Sequence, residues 1–136
     1  MHKKKAAIVA CLLLSACTEA RSDGPRPPLT LEKAQPPFVG KVWTSTDAAA
    51  APGTVRIFLS NGTLVMDSCW ETYQLARWRS VDERRIEWQE GTEKIQAEVV
   101  EVADDRLVLQ LQLVGETKAE AYRAARIPYV CPDMPR

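Results

Sequence analysis

The chain has 136 residues, room for one small domain, with 18 Lys and Arg balanced by 18 Asp and Glu and a single histidine, His2. The even charge gives no basic footprint for nucleic acid. With its only imidazole at the extreme N-terminus, the rest of the chain has no Ser-His or Cys-His pair and no His-containing zinc site.

The first element is an export signal. His2, Lys3, Lys4 and Lys5 precede the apolar run AAIVACLLL, which is too short for a permanent membrane span. It ends in LSAC, Leu14 to Cys17, which resembles the lipobox of bacterial lipoproteins. That resemblance implies removal of residues 1–16 and lipidation of Cys17, so that the membrane becomes a partner through an N-terminal lipid anchor. In such lipoproteins a residue other than Asp after the cysteine, here Thr18, implies the outer membrane of a Gram-negative cell, most simply facing the periplasm. Residues 17–37, including TEARSDGPRPPLTLEKAQPP, are polar and Pro-rich and read as a disordered tether. The domain is expected over 38–133.

Cleavage before Cys17 leaves fifteen Lys and Arg against eighteen Asp and Glu, a net charge of −3, and removes His2. Cys11 leaves with the signal and Cys17 carries lipid, so Cys69 and Cys131 remain in an oxidising compartment and are expected to form a disulfide. The stretch DSCW around Cys69 resembles the nucleophile signature of papain-like proteases over four residues. A mature chain without histidine has no base to make that thiol a thiolate, so the structural bond is the expectation.

From Phe38 onward short apolar runs alternate with turn residues, predicting strands near 38–46, 54–60, 63–70, 72–81, 85–90, 93–102, 106–114 and 117–127. In VRIFLSNGTLVMD, Asn61-Gly62 suits a two-residue type I′ hairpin. That turn would set Leu59 against Leu64, Ile57 against Met66 and Val55 against Ser68 on the inner face, with Arg56 opposite Asp67 outside. Continuing the phase, Trp70 would also face inward. RLVLQLQLVG has the clearest alternation, with Leu107, Leu109, Leu111 and Leu113 on one face. The last segment, TKAEAYRAAR, also offers Thr117 and Glu120 as a capping box, so a helix competes with a strand there. The tail IPYVCPDMPR, rich in proline, is expected to lie across the outside. Short hairpins force sequential antiparallel neighbours, and the predicted fold is all-β: one meander of about eight strands in a closed or nearly closed small barrel.

FVGKVW, Phe38 to Trp43, resembles the opening of lipocalin-like barrels, with two residues rather than one between glycine and tryptophan. The span from Phe38 to Cys131 is similar in size and strand rhythm to META-type domains of envelope lipoproteins, with DSCWETY where those carry Gly-Cys-Asn. Lysozyme-inhibiting lipoproteins share the anchor and an eight-stranded barrel, but their Ser-Gly-x-x-Tyr signature is absent here.

The resemblance implies a non-enzymatic binding barrel for a small apolar, aromatic or acidic ligand, and the aromatic residues supply candidates: Trp43, Trp70, Tyr73 and Trp88, with Arg77 as a nearby cation. A protein-interaction or inhibitory lipoprotein with a filled barrel is the alternative, its partner another envelope protein met by loops at one barrel end. An enzyme is least expected, and no cofactor or metal site is predicted. A cavity of several hundred cubic ångströms inside the barrel would favour the first reading, and a filled interior the second.

Overall fold

A computed structural model describes residues 34–132. The lipobox, Cys17 and most of the tether lie outside the described residues. The eight strands are β1 (Val42–Ser45), β2 (Val55–Phe58), β3 (Thr63–Asp67), β4 (Gln74–Ser80), β5 (Arg85–Glu90), β6 (Glu93–Val102), β7 (Arg106–Leu113) and β8 (Glu116–Ala124). Each pairs antiparallel with the next in sequence, and β8 returns to β1, closing the barrel. The last element is strand rather than helix, over Glu116–Ala124: its alternation delivers Tyr122 to the core opposite Leu107, a burial that outweighs local helix propensity.

The period-two pattern fills the interior. Trp43, Phe58, Leu64, Ile86, Trp88, Leu107 and Leu109 are the largest fully buried side chains, and Leu111, Ala97, Ala76 and Tyr122 complete the packing. In β6 a bulge between Val99 and Glu101 shifts the phase, so that Val99 pairs with Leu109 and Val102 with Leu107. Two residues separate these valines, yet both face the core.

The β2–β3 hairpin differs from its expected form. Its loop is Ser60-Asn61-Gly62: the Gly62 N–H donates to Leu59 O at 3.1 Å, and the Leu59 N–H to Thr63 O at 2.8 Å. Gly62 alone has a positive φ, 81°, while Asn61 uses its side-chain oxygen to accept the Thr63 N–H at 3.0 Å. This is a type I turn followed by a left-handed glycine, a three-residue loop that leaves one more residue in the connection than a type I′ turn. The register is therefore Phe58 with Leu64, Ile57 with Val65, Arg56 with Met66 and Val55 with Asp67. A one-residue slip exchanges the two faces of β2, so Phe58 enters the core and Arg56 enters with it. The expected pairing of Arg56 with Asp67 does not occur.

The closed meander has two unlike ends. One carries the loops 46–54 and 68–73, the turns at 91–92 and 114–115, and the end of the tail. The other carries the β2–β3, β4–β5 and β6–β7 turns and the chain entry at Phe38. The tail leaves β8 with the Ala125 N–H donating to Val42 O at 2.8 Å, and ends at the loop-rich end, where Cys131 is bonded to Cys69 with Cα atoms 5.6 Å apart. Gly53 permits that junction. Its φ is 74°, and a Cβ there would overlap Cys69 Sγ.

Candidate functional site

The candidate residues read from the sequence divide into three groups. Trp43 and Trp88 are core: Trp43 Nε1 donates to Phe38 O at 2.8 Å, and Trp88 Nε1 to Glu90 Oε1 at 2.6 Å. Arg77 lies on β4 opposite Thr63 and donates to Asn61 O at 3.3 Å, near the end that carries the β2–β3 turn. Only Trp70 and Tyr73 are brought together as exposed aromatics, in the loop 68–73, at 47% and 60% exposure. Trp70 does not share the inward face of Leu64, because β3 ends at Asp67 and the chain turns away before it.

That loop is fixed from several sides. Cys69 N–H donates to Pro52 O at 3.2 Å, Ser68 Oγ donates to Glu71 Oε2 at 3.0 Å, and the disulfide brings the tail alongside. At the same barrel end Val114, in the β7–β8 turn, is 96% exposed, and Val130, beside Cys131, is 78% exposed. Four apolar side chains on three separate segments thus stand at one rim. Sequence reasoning passed over the two valines because a turn and a Pro-rich tail carry no periodicity to mark them.

Within this rim lies the second feature missed from sequence, a charged network at the mouth of the barrel. Arg56 Nε donates to the Tyr122 hydroxyl at 2.6 Å, the hydroxyl donates to Glu120 Oε2, and Arg56 Nη2 lies 3.1 Å from the same oxygen. Glu90 Oε1 is 3.6 Å from Arg56 Nη1, Lys118 Nζ is 3.2 Å from Glu120 Oε1, and the guanidinium carbon sits 5.1 Å from the Trp88 ring centroid. Burial opposes the Arg56 charge, but Tyr122, Glu120 and Glu90 outweigh it and hold the group more firmly protonated than usual. Burial likewise pushes the Glu120 carboxyl up, while Arg56 and the hydrogen bonds from Tyr122 and Lys118 more than reverse this and hold it below the usual carboxylate range. Burial and the neighbouring Glu120 raise the Tyr122 hydroxyl well above its ordinary value, Arg56 opposing. Each charge is countered within the network, so its chemistry is structural: it closes the barrel mouth with satisfied polar groups.

Among the described residues no group of three or more His, Cys, Asp or Glu is arranged to hold a metal ion. Comparison with known proteins matches no family model and no curated protein.

Proposed function

We propose that the protein is a lipid-anchored envelope lipoprotein whose filled, non-enzymatic barrel binds a protein partner through its loop-rich end. The observation that carries this is the division of aromatic residues. Trp43 and Trp88 occupy the interior where a lipocalin-like ligand would sit, while Trp70 and Tyr73 stand exposed with Val114 and Val130. Trp and Tyr are the usual anchors of a protein interface, and exposed apolar groups on a polar rim mark such a surface. The carboxylates Asp47, Glu71, Glu93 and Glu116 belong to the same end, so a partner with a basic contact surface is expected. The lipobox resemblance at Leu14 to Cys17 supports the anchor. A lipocalin-like, ligand-binding reading keeps support from a cleft at the opposite rim, taken up below.

The test is photo-crosslinking in cells expressing the intact chain, with a benzophenone side chain introduced at position 70, 73 or 114. A discrete protein adduct is expected from each, absent from a control at the outward-facing Gln112. In the same cells Cys17→Ala should lose fatty-acid label and leave the membrane fraction. Trp70→Ala should weaken co-purification of the crosslinked protein by at least tenfold, the scale of a buried aromatic anchor. Adducts of equal yield from position 112, or none from the rim, would overturn the interaction reading, and persistent label on Cys17→Ala would overturn the anchor.

A further inference from the structure

The barrel end opposite Trp70 carries a cleft of about 370 Å³, a size typical of small-molecule sites. Its apolar walls include Pro36, Pro37, Phe38, Trp78, Val99 and Val102. The bulge in β6 matters here, because it is what turns both valines toward this end of the interior. The floor is rigid. Phe38 is 3% exposed, edge-on to Phe58 with centroids 5.2 Å apart and tilted against Trp78 at 5.7 Å, and Phe58 meets Trp78 edge-on at 5.4 Å.

The segment forming the near wall is held by its backbone. Val39 N–H donates to Pro36 O at 3.0 Å, Gly40 N–H to Phe58 O at 2.9 Å, and Phe38 O accepts Trp43 Nε1. Trp78 is fixed in turn by Nε1 donating to Leu59 O at 3.0 Å. A preformed apolar wall of this kind loses little conformational freedom when a ligand enters.

Among the described residues two charged side chains line the cleft, Asp82 and Glu83, both carboxylates. Asp82 is committed, accepting the Arg84 and Arg85 N–H groups at 3.0 and 2.9 Å and Arg85 Nε at 2.5 Å, while Glu83 is exposed. The described residues place no cation in the wall, so an anionic ligand meets repulsion from Glu83, whereas a neutral or cationic one does not. We propose that this rim cleft is a binding site for small aromatic or aliphatic molecules that are neutral or positively charged. The site is separate from the loop-rich end and does not depend on the protein-partner reading.

Benzyl alcohol, benzylamine and benzoate share a ring and differ in charge, and serve as probes. Each is titrated into the intact chain while the indole N–H resonances of its four tryptophans are followed. The Trp78 signal is expected to shift saturably with benzyl alcohol and benzylamine and at least tenfold more weakly with benzoate, while Trp70 at the far end stays fixed. Val102→Trp, which fills the cleft, should abolish the shift. Val102→Leu, which adds one methylene and keeps the core apolar, should weaken it in part and guards against a misfolded variant. A Trp78 signal that never saturates, or one indifferent to both substitutions, would overturn the site. Equal binding of benzoate would overturn its charge preference. A response seen only after residues 24–33 are replaced by a Gly-Ser linker would assign the cleft to the chain's own tether, ending the small-molecule proposal.

Discussion

Replacing Arg56 with methionine is expected to destabilise the domain by about 3 kcal/mol at pH 7, the lower end of the cost of breaking a buried ion pair. The charge affected is Glu120, whose side chain is 16% exposed and which keeps only Lys118, at 3.2 Å, as an ionic partner. The loss has a pH signature. In the native protein Glu120 titrates below its ordinary value, so its contribution is present above the unfolded-state pKa of about 4.3 and disappears as pH falls through the lower folded value. In Arg56→Met burial, the largest influence on this carboxyl, is opposed only by Tyr122 and Lys118, so Glu120 titrates higher than in the wild type. Lowering the pH from 7 toward 4.5 should therefore narrow the stability gap between variant and wild type. The double variant Arg56→Met, Glu120→Gln should recover much of the loss at pH 7. Chemical denaturation of the three proteins at both pH values checks this. A uniform deficit across pH, or no recovery in the double variant, would remove the network from its assigned role.

Removing the Cys69–Cys131 bond is the second large perturbation. It spans 62 residues, for which the loop-entropy model gives about 4 kcal/mol, comparable with much of the net stability of a small domain. Reduction, or joint Cys69→Ala and Cys131→Ala, is expected to lower the melting temperature sharply. The effect should also be local. The Tyr129 hydroxyl lies 3.8 Å from Cys69 Sγ, so the tail loses both its covalent tie and its packing neighbour. Arg126, at the start of that tail, should become the preferred site of limited tryptic cleavage. An unchanged melting curve together with an unchanged digest would show that the bond holds nothing in place.

Strand existence was legible wherever one face is uniformly apolar. β7, with leucine at every second position, and β6 after its charged start announce themselves, and the short turns between them leave few topologies besides a meander. The β2–β3 register was not legible, and β2 shows why. Val55, Ile57, Phe58 and Leu59 put apolar groups on both faces, so local pattern does not choose between them. The choice depends on a three-residue loop in place of a two-residue one, and on Glu120 and Glu90, which reach Arg56 from strands far along the chain. A cation opposite an aspartate on paper was more persuasive than a cation meeting two distant glutamates in a barrel mouth. The disulfide was readable because the signal and lipobox readings set Cys11 and Cys17 aside and left two cysteines to pair. The division of the tryptophans was not, since the apolar pattern runs on past Asp67 toward Trp70 and only the end of β3 there separates loop from core.

The barrel has one joint unlike the others. Seven of its eight strand pairs are hairpins between consecutive strands, whereas β1 meets β8 through three residue pairs, Trp43 with Ala124, Thr44 with Arg123 and Ser45 with Tyr122. These partners are about eighty residues apart, so the entropy of bringing them together is large and the contacts that repay it are few. Hairpins can zip in any order, but this seam closes only when the rest of the sheet already holds its edges near each other, and it is the natural line along which the cylinder first opens. The hydroxyls of Thr44 and Thr46, donating to Arg123 O and Ala121 O at 3.0 Å each, reinforce it from one side. Amide hydrogens of the β1–β8 seam should accordingly exchange with solvent well before those of β6 and β7; equal protection across the two would mean the cylinder opens only as a whole. A native protein that breathes along this seam exposes the edges of its first and last strands together, leaving all eight strands as one open sheet that is still hydrogen-bonded.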